Sequence, residues 1–217
     1  MSAADPAGLP RQRRGTTPQM HGRYPDFDVL EELDHWDERT RELIVARVES
    51  VPRRRFFSRE EFATLAAFAD VVLAQDREPR VPAMSLVDAK LNRGTGDGFR
   101  YDDMPEDADV WRQTLAWLNA DAEAAHHLPF ARAGVDVQRE LIQVVQDLAQ
   151  DGKKWHDYPA GHVWSLWTRY GCTAFYSHPV AWNEIGFGGP AYPRGYLNLG
   201  VDRLEHWEVR DAGAERG

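Results

Sequence analysis

The side chains that could do chemistry are few and scattered. Of the eight histidines, His126 and His127 are adjacent and point to different helix faces, while His156, His162 and His178 stand alone. Two metal ligands on one helix face need a spacing of three or four. No histidine pair has it, and no metal site is expected. The single cysteine, Cys172, excludes an intrachain disulfide and any multi-cysteine zinc or iron–sulfur site. Set in a helix beside aromatic residues, it reads as a small buried hydrophobe rather than a nucleophile. His178, next to Pro179, is the one candidate for acid–base catalysis, with Glu184 or Tyr176 assisting. Its competing and favoured reading is an imidazole that hydrogen-bonds backbone in an irregular segment, because no second catalytic group stands at a defined spacing. Gly186, Gly188 and Ala191 fit the form Gly-x-Gly-x-x-Gly/Ala, which binds dinucleotides only between a strand and a helix. Pro190 and Pro193 block that helix, so neither FAD nor NAD is expected here. Gly94 to Gly98 could cradle phosphate, but Gly-Lys-Ser/Thr is missing and Asp97 would repel an anion. A solvated connector is expected.

His178 opens the stretch that the chain is organised around, Ser177 to Tyr196, SHPVAWNEIGFGGPAYPRGY. Its glycines and prolines exclude a long helix and a regular central strand. Its aromatic residues, Trp182, Phe187, Tyr192 and Tyr196, offer enough apolar surface to offset the entropy of ordering. An ordered loop is expected; Glu184 and Arg194 either form an ion pair that pins it or are two unrelated surface charges. Two readings of the aromatic residues stay open: they fold back and close the core, or part of the set is presented to a partner protein, where Trp, Tyr and Arg are the usual anchors.

Composition bounds the rest. At 217 residues the chain suits one domain, and without an apolar run near membrane length it reads as soluble. A net charge of -9 argues against nucleic acid as main partner. The basic clusters, Arg11, Arg13, Arg14 and Arg53, Arg54, Arg55, are short and flanked by acid or proline. Arg13 and Arg14 form a twin arginine, yet the following Gly15 to Tyr24 lacks the apolar region of an export signal. Cytoplasmic residence is expected, or periplasmic if a partner carries the signal.

The elements that must position these residues are helical. Residues 1–25 read as a flexible arm, 26–210 as the helical domain and 211–217 as a tail. Asp34 is expected to cap a helix from about His35 to Glu49, with Trp36, Leu43, Ile44 and Val48 as a partial apolar face. Ser58 and Glu61 form a capping box, followed by Phe62, Leu65, Ala69, Val72 and Leu73 at helical spacing to about Gln75. A short helix is predicted over Ser85 to Asn92, stopped by Gly94. A long one should begin at Pro105 and carry Val110, Trp111, Leu115, Leu118 and Ala122 inward to about Ala125. Asp136 is expected to cap the next, with Leu141, Val144, Val145 and Leu148 inward until Gly152. A last helix, Ala160 to Phe175, carries Val163, Trp164, Leu166, Trp167 and Tyr170. No segment alternates cleanly as a strand does. The fold class is all-α.

Phe175 to Tyr196, FYSHPVAWNEIGFGGPAYPRGY, together with the Phe56, Phe57, Ser58 helix start, resembles the gluconate 2-dehydrogenase subunit 3 family over about Arg55 to Trp207. The resemblance implies a small helical subunit accompanying a large FAD-dependent dehydrogenase of the glucose-methanol-choline (GMC) oxidoreductase type, often with a separate cytochrome c. It places the flavin and substrate sites on the large subunit, which the small one supports in folding, assembly or export. Many members begin with a twin-arginine export signal, and here this chain departs from the pattern. The function expected is a non-catalytic subunit that binds and stabilises a sugar or polyol dehydrogenase, with Trp182, Glu184, Phe187, Tyr192, Arg194 and Tyr196 facing the partner. The alternatives are a self-sufficient small enzyme using His178 and an independent protein-binding scaffold.

Overall fold

A reciprocal pair of hydrogen bonds starts helix α2, Arg59–Val72: the Glu61 amide donates to Ser58 Oγ at 3.1 Å and the Ser58 amide to the Glu61 carboxylate at 2.7 Å. The capping box thus forms as its local sequence dictates. The computed structural model describes Tyr24 and residues 27–76, 78–198, 200 and 203–209. The expected arm over 1–25, apart from Tyr24, and the tail over 211–217 lie outside the described residues. The fold is mostly helical. It divides into two compact units, Val51–Phe175 and the segments Met1–Ser50 with Tyr176–Gly217.

In the Val51–Phe175 unit, α2 buries Thr64, Leu65, Phe68 and Ala69, the one-sided pattern of a helix packed on others. Helix α3, Ala83–Asn92, begins two residues before the expected Ser85 and stops with Gly94 at φ 67°. Helix α4, Asp107–His126, buries all five residues expected to face inward. Its cap position is Glu106, so Pro105 lies outside the first turn rather than in it. Helix α5, Val135–Gln150, departs from expectation in two ways. Gly134 occupies the cap position and Asp136 lies inside the first turn. The inward face is Gln138, Ile142 and Val145, while Val144 is exposed. Gln138 can be buried because its amide donates to the carbonyls of Phe130 and Ala133, at 2.9 and 3.0 Å. That pins the 3-10 turn Phe130–Arg132 and sets Gln138 on the inward face with Ile142 and with Val145, which was expected there.

Two short strands, β1 (Lys154–Trp155) and β2 (Tyr158–Pro159), pair antiparallel, a hairpin too small to show as alternation. Helix α6, Ala160–Tyr176, follows. Its Trp167 meets Phe68 of α2 at 4.7 Å between ring centroids, and its indole N–H donates to the buried Thr114 hydroxyl of α4 at 3.1 Å. A buried indole needs such an acceptor. Tyr170 donates to Asp107 at 2.7 Å, and burial together with that carboxylate pushes its phenol above the usual range. The Gly94–Gly98 segment is a solvent-exposed connector, as expected, tied down at half-buried Asp97, which accepts from Arg169 Nε at 2.8 Å and pairs with Lys90.

In the other unit, Asp28 caps a 3-10 helix, Val29–His35, and Asp37 caps α1, Glu38–Glu49, accepting from the Thr40 amide and hydroxyl at 3.1 and 2.7 Å. The cap expected at Asp34 therefore falls at Asp37, because the 3-10 helix already claims Asp34. Of the expected α1 face, Ile44 is buried and Leu43 and Val48 are exposed. Val29, Trp36, Ile44 and Trp182 form this unit's core.

Candidate functional site: a glycine-seated aromatic loop

Within the loop the chain makes one short helix, α7 (Pro179–Ile185), where only irregular structure was expected. Proline at its first position suits a helix start, and Gly186 at φ 66° closes it in the left-handed conformation. His178 is its cap. Its Nδ1 accepts from the Val180 amide at 3.2 Å, and its Nε2–H donates to the Arg47 carbonyl at 2.9 Å. Those partners require the neutral ring, and burial pulls its pKa below the ordinary histidine value. Both ring nitrogens are occupied, so His178 serves as a backbone partner and leaves no nitrogen for a reacting proton.

A depressed histidine pKa is a statement about stability. The unfolded chain takes up this proton near the ordinary value and the folded unit only at lower pH. Stability from His178 is thus fully present above about pH 6.5, the ordinary value, and is lost as pH falls through that value toward the lowered one. Thermal melts from pH 7.5 to 5 should fall more steeply for the wild type than for His178→Asn, whose amide can also cap.

Beyond α7 the loop is seated on aromatic rings. A Cβ added at Gly186 would lie 2.7 Å from Tyr24, and one at Gly188 would lie 2.8 Å from Trp207. At Gly189, φ 79°, it would lie 2.9 Å from Trp36 Cη2 and closer still to Cζ2. Real Cβ atoms do not approach rings so closely. The three glycines therefore let backbone lie on indole and phenol faces, and the Trp36 indole donates to the Pro190 carbonyl at 2.9 Å. Gly189→Ala should destabilise this unit by about 2 to 3 kcal/mol, combining overpacking with a left-handed backbone. Urea unfolding followed by tryptophan fluorescence checks this.

Arg194 ties the loop together. It pairs with Glu32 at 2.7 Å, donates to the carbonyls of Gly188 and Pro190 at 2.7 and 3.2 Å, and lies 3.9 Å from the Trp207 ring centroid. Burial lowers its pKa and Glu32 opposes that shift, yet arginine stays charged in proteins. The carboxylate found on Arg194 is Glu32's, 162 positions away in sequence, in place of the expected Glu184. A neighbouring buried carboxylate, Glu205, accepts from the amides of Leu197 and Asn198 and holds the following segment.

The aromatic residues divide between the two readings. Trp182 is 5% exposed and donates its indole N–H to the Tyr176 carbonyl at 2.7 Å, so it belongs to the core. Phe187, Tyr192 and Tyr196 are 39%, 70% and 48% exposed, and Leu197 beside them is exposed too. Glu184 is half-buried on α7. Glu32 and Trp207, which hold the loop from below, were missed in the sequence, and buried Trp36 was expected only as part of an apolar helix face.

Other candidates resolve by geometry. The Gly186-x-Gly188-x-x-Ala191 pattern follows a helix and enters a turn, the reverse of a dinucleotide loop. Cys172 is exposed rather than buried, because the inward face of α6 runs through Val163, Leu166, Trp167, Tyr170 and Ala174 and leaves position 172 outside. Among the described residues no helix is long and apolar enough to cross a membrane.

The family model for gluconate 2-dehydrogenase subunit 3 matches residues 59–189, more than half of the chain. The chain belongs to this family. The matched span starts at the first residue of α2 and ends on Gly189, the glycine beneath Trp36, and is narrower than the resemblance over Arg55 to Trp207. Tyr192, Arg194 and Tyr196 thus lie just past the matched residues. No curated protein and no solved structure matches the chain.

Proposed function

We propose that this subunit 3 family member is a non-catalytic small subunit that binds and stabilises a large FAD-dependent GMC-type dehydrogenase acting on sugars or polyols. FAD and the substrate site belong to the large subunit in this reading, and a cytochrome c is a fitting electron acceptor for the complex. The observation that carries the proposal is an exposed aromatic rim, Phe187, Tyr192 and Tyr196, on a loop locked from beneath by Arg194 and three closely seated glycines. Large aromatic side chains on a rigid support suit a protein interface, since little further ordering is needed on binding. Trp182 and Arg194 shape the loop from inside, and Glu184 flanks it. The alternative with His178 as acid–base loses support from the engagement of both its nitrogens.

The test is the triple variant Phe187→Ala, Tyr192→Ala, Tyr196→Ala. Association with the large flavoprotein should weaken about 100-fold or more, as for loss of interface anchors. The isolated subunit should keep its helical circular dichroism and nearly all of its melting temperature. Wild-type affinity in the triple variant would contradict the proposal, as would collapse of the helical signal.

A further inference from the structure

The run Arg53, Arg54, Arg55 has no role in the site described above, yet the Val51–Phe175 unit holds it in place with care. Asp88 of α3 is fully buried, and its carboxylate accepts the amides of Arg55, Phe56 and Phe57 at 2.6, 3.1 and 3.0 Å. Three amides satisfy the carboxylate and fix the backbone beneath the arginines. Their side chains are exposed. Arg54 turns back to the Phe57 carbonyl. Arg112 of α4 joins the group, 4.1 Å from the Phe56 ring centroid and donating to the Phe56 carbonyl at 3.1 Å. Arg59, also exposed, occupies the first position of α2, where the helix dipole disfavours a cation.

Among the described residues, only Arg112 of these five has a carboxylate within ion-pair distance, Glu61 at 3.8 Å. Like charges repel one another, and among the described residues no ion pair or side-chain hydrogen bond holds Arg53, Arg55 or Arg59. The chain as a whole is acidic, with a net charge of -9. A long polyanion such as nucleic acid or an anionic membrane would be repelled beyond the strip. A few carboxylates on a protein surface would not, and guanidinium groups accept them in bidentate pairs. We propose that Arg53, Arg55, Arg59 and Arg112 form a docking strip for an acidic segment of the large partner subunit. This rests on the subunit reading above.

The experiment measures association of the 217-residue subunit with the large flavoprotein at rising sodium chloride, for the wild type, for Arg53→Ala/Arg55→Ala/Arg59→Ala, and for the matching lysine variant. The alanine variant should associate about tenfold or more slowly at low salt, with a flatter salt dependence and an unchanged melt. Lysine should restore part of the rate. Wild-type rate and salt slope in the alanine variant would overturn the strip while leaving the subunit reading intact. The same holds if the arginines instead govern binding to phosphatidylglycerol vesicles or a DNA oligonucleotide. Failure of the wild type to associate would overturn both.

Discussion

Trp182→Ala should destabilise the unit built around α1 and α7 by about 3 to 5 kcal/mol, the range for removing a buried large aromatic side chain. The indole closes a core of Val29, Trp36 and Ile44, with Phe27, Leu30 and Leu33 packed around it. It also supplies the N–H that the Tyr176 carbonyl accepts. The small size of this core is why the loss is large, because few other side chains can relax into the cavity. Phe187 meets Trp182 edge-on at 5.5 Å between centroids but is partly exposed. Its replacement by alanine should cost only about 1 kcal/mol. Urea unfolding of both variants separates the roles: a large loss at 182 with a small one at 187 places the boundary between core and interface between these two rings. Equal losses would mean that Phe187 is core too.

Asp88→Ala should also cost about 3 to 5 kcal/mol, this time in the Val51–Phe175 unit. Three amides lose their shared acceptor at once, in a place water reaches poorly. Asp88→Asn keeps one carboxamide oxygen and should cost markedly less. Hydrogen exchange gives the sharper readout, since protection of the Arg55, Phe56 and Phe57 amides should fall together in the alanine variant. If those amides keep their protection, the carboxylate is not what holds them.

How far the sequence revealed this fold depended on the range over which each signal acts. The Ser58–Glu61 box acts over three residues, and its helix formed where expected. The inward faces of α4 and α6 showed in helical periodicity because tryptophans and leucines dominate them. Asp34 misled because a 3-10 helix, which leaves no distinct apolar repeat, lies just before Asp37. The α5 face misled because a buried Gln138 depends on carbonyls of a separate turn. Helix α7 did carry a local signature, proline at its start and glycine at its end, but the surrounding glycines and prolines hid it. Asp88 could have been noticed as a charged residue on the buried face of α3 beside Met84, Val87 and Leu91. The rim was legible as a set of aromatic residues. Its division into Trp182 inside and Phe187, Tyr192 and Tyr196 outside was not, because Trp182 is buried by Val29, Trp36 and Ile44, brought in from a distant part of the chain.

Co-purification tests the association with a flavoprotein most directly. The subunit alone would carry an affinity tag, be expressed with a large GMC-type flavoprotein, and be eluted for mass and visible spectrum. A yellow complex with flavin absorption and the summed mass of both chains is expected. A colourless, well-folded subunit eluting by itself would contradict it.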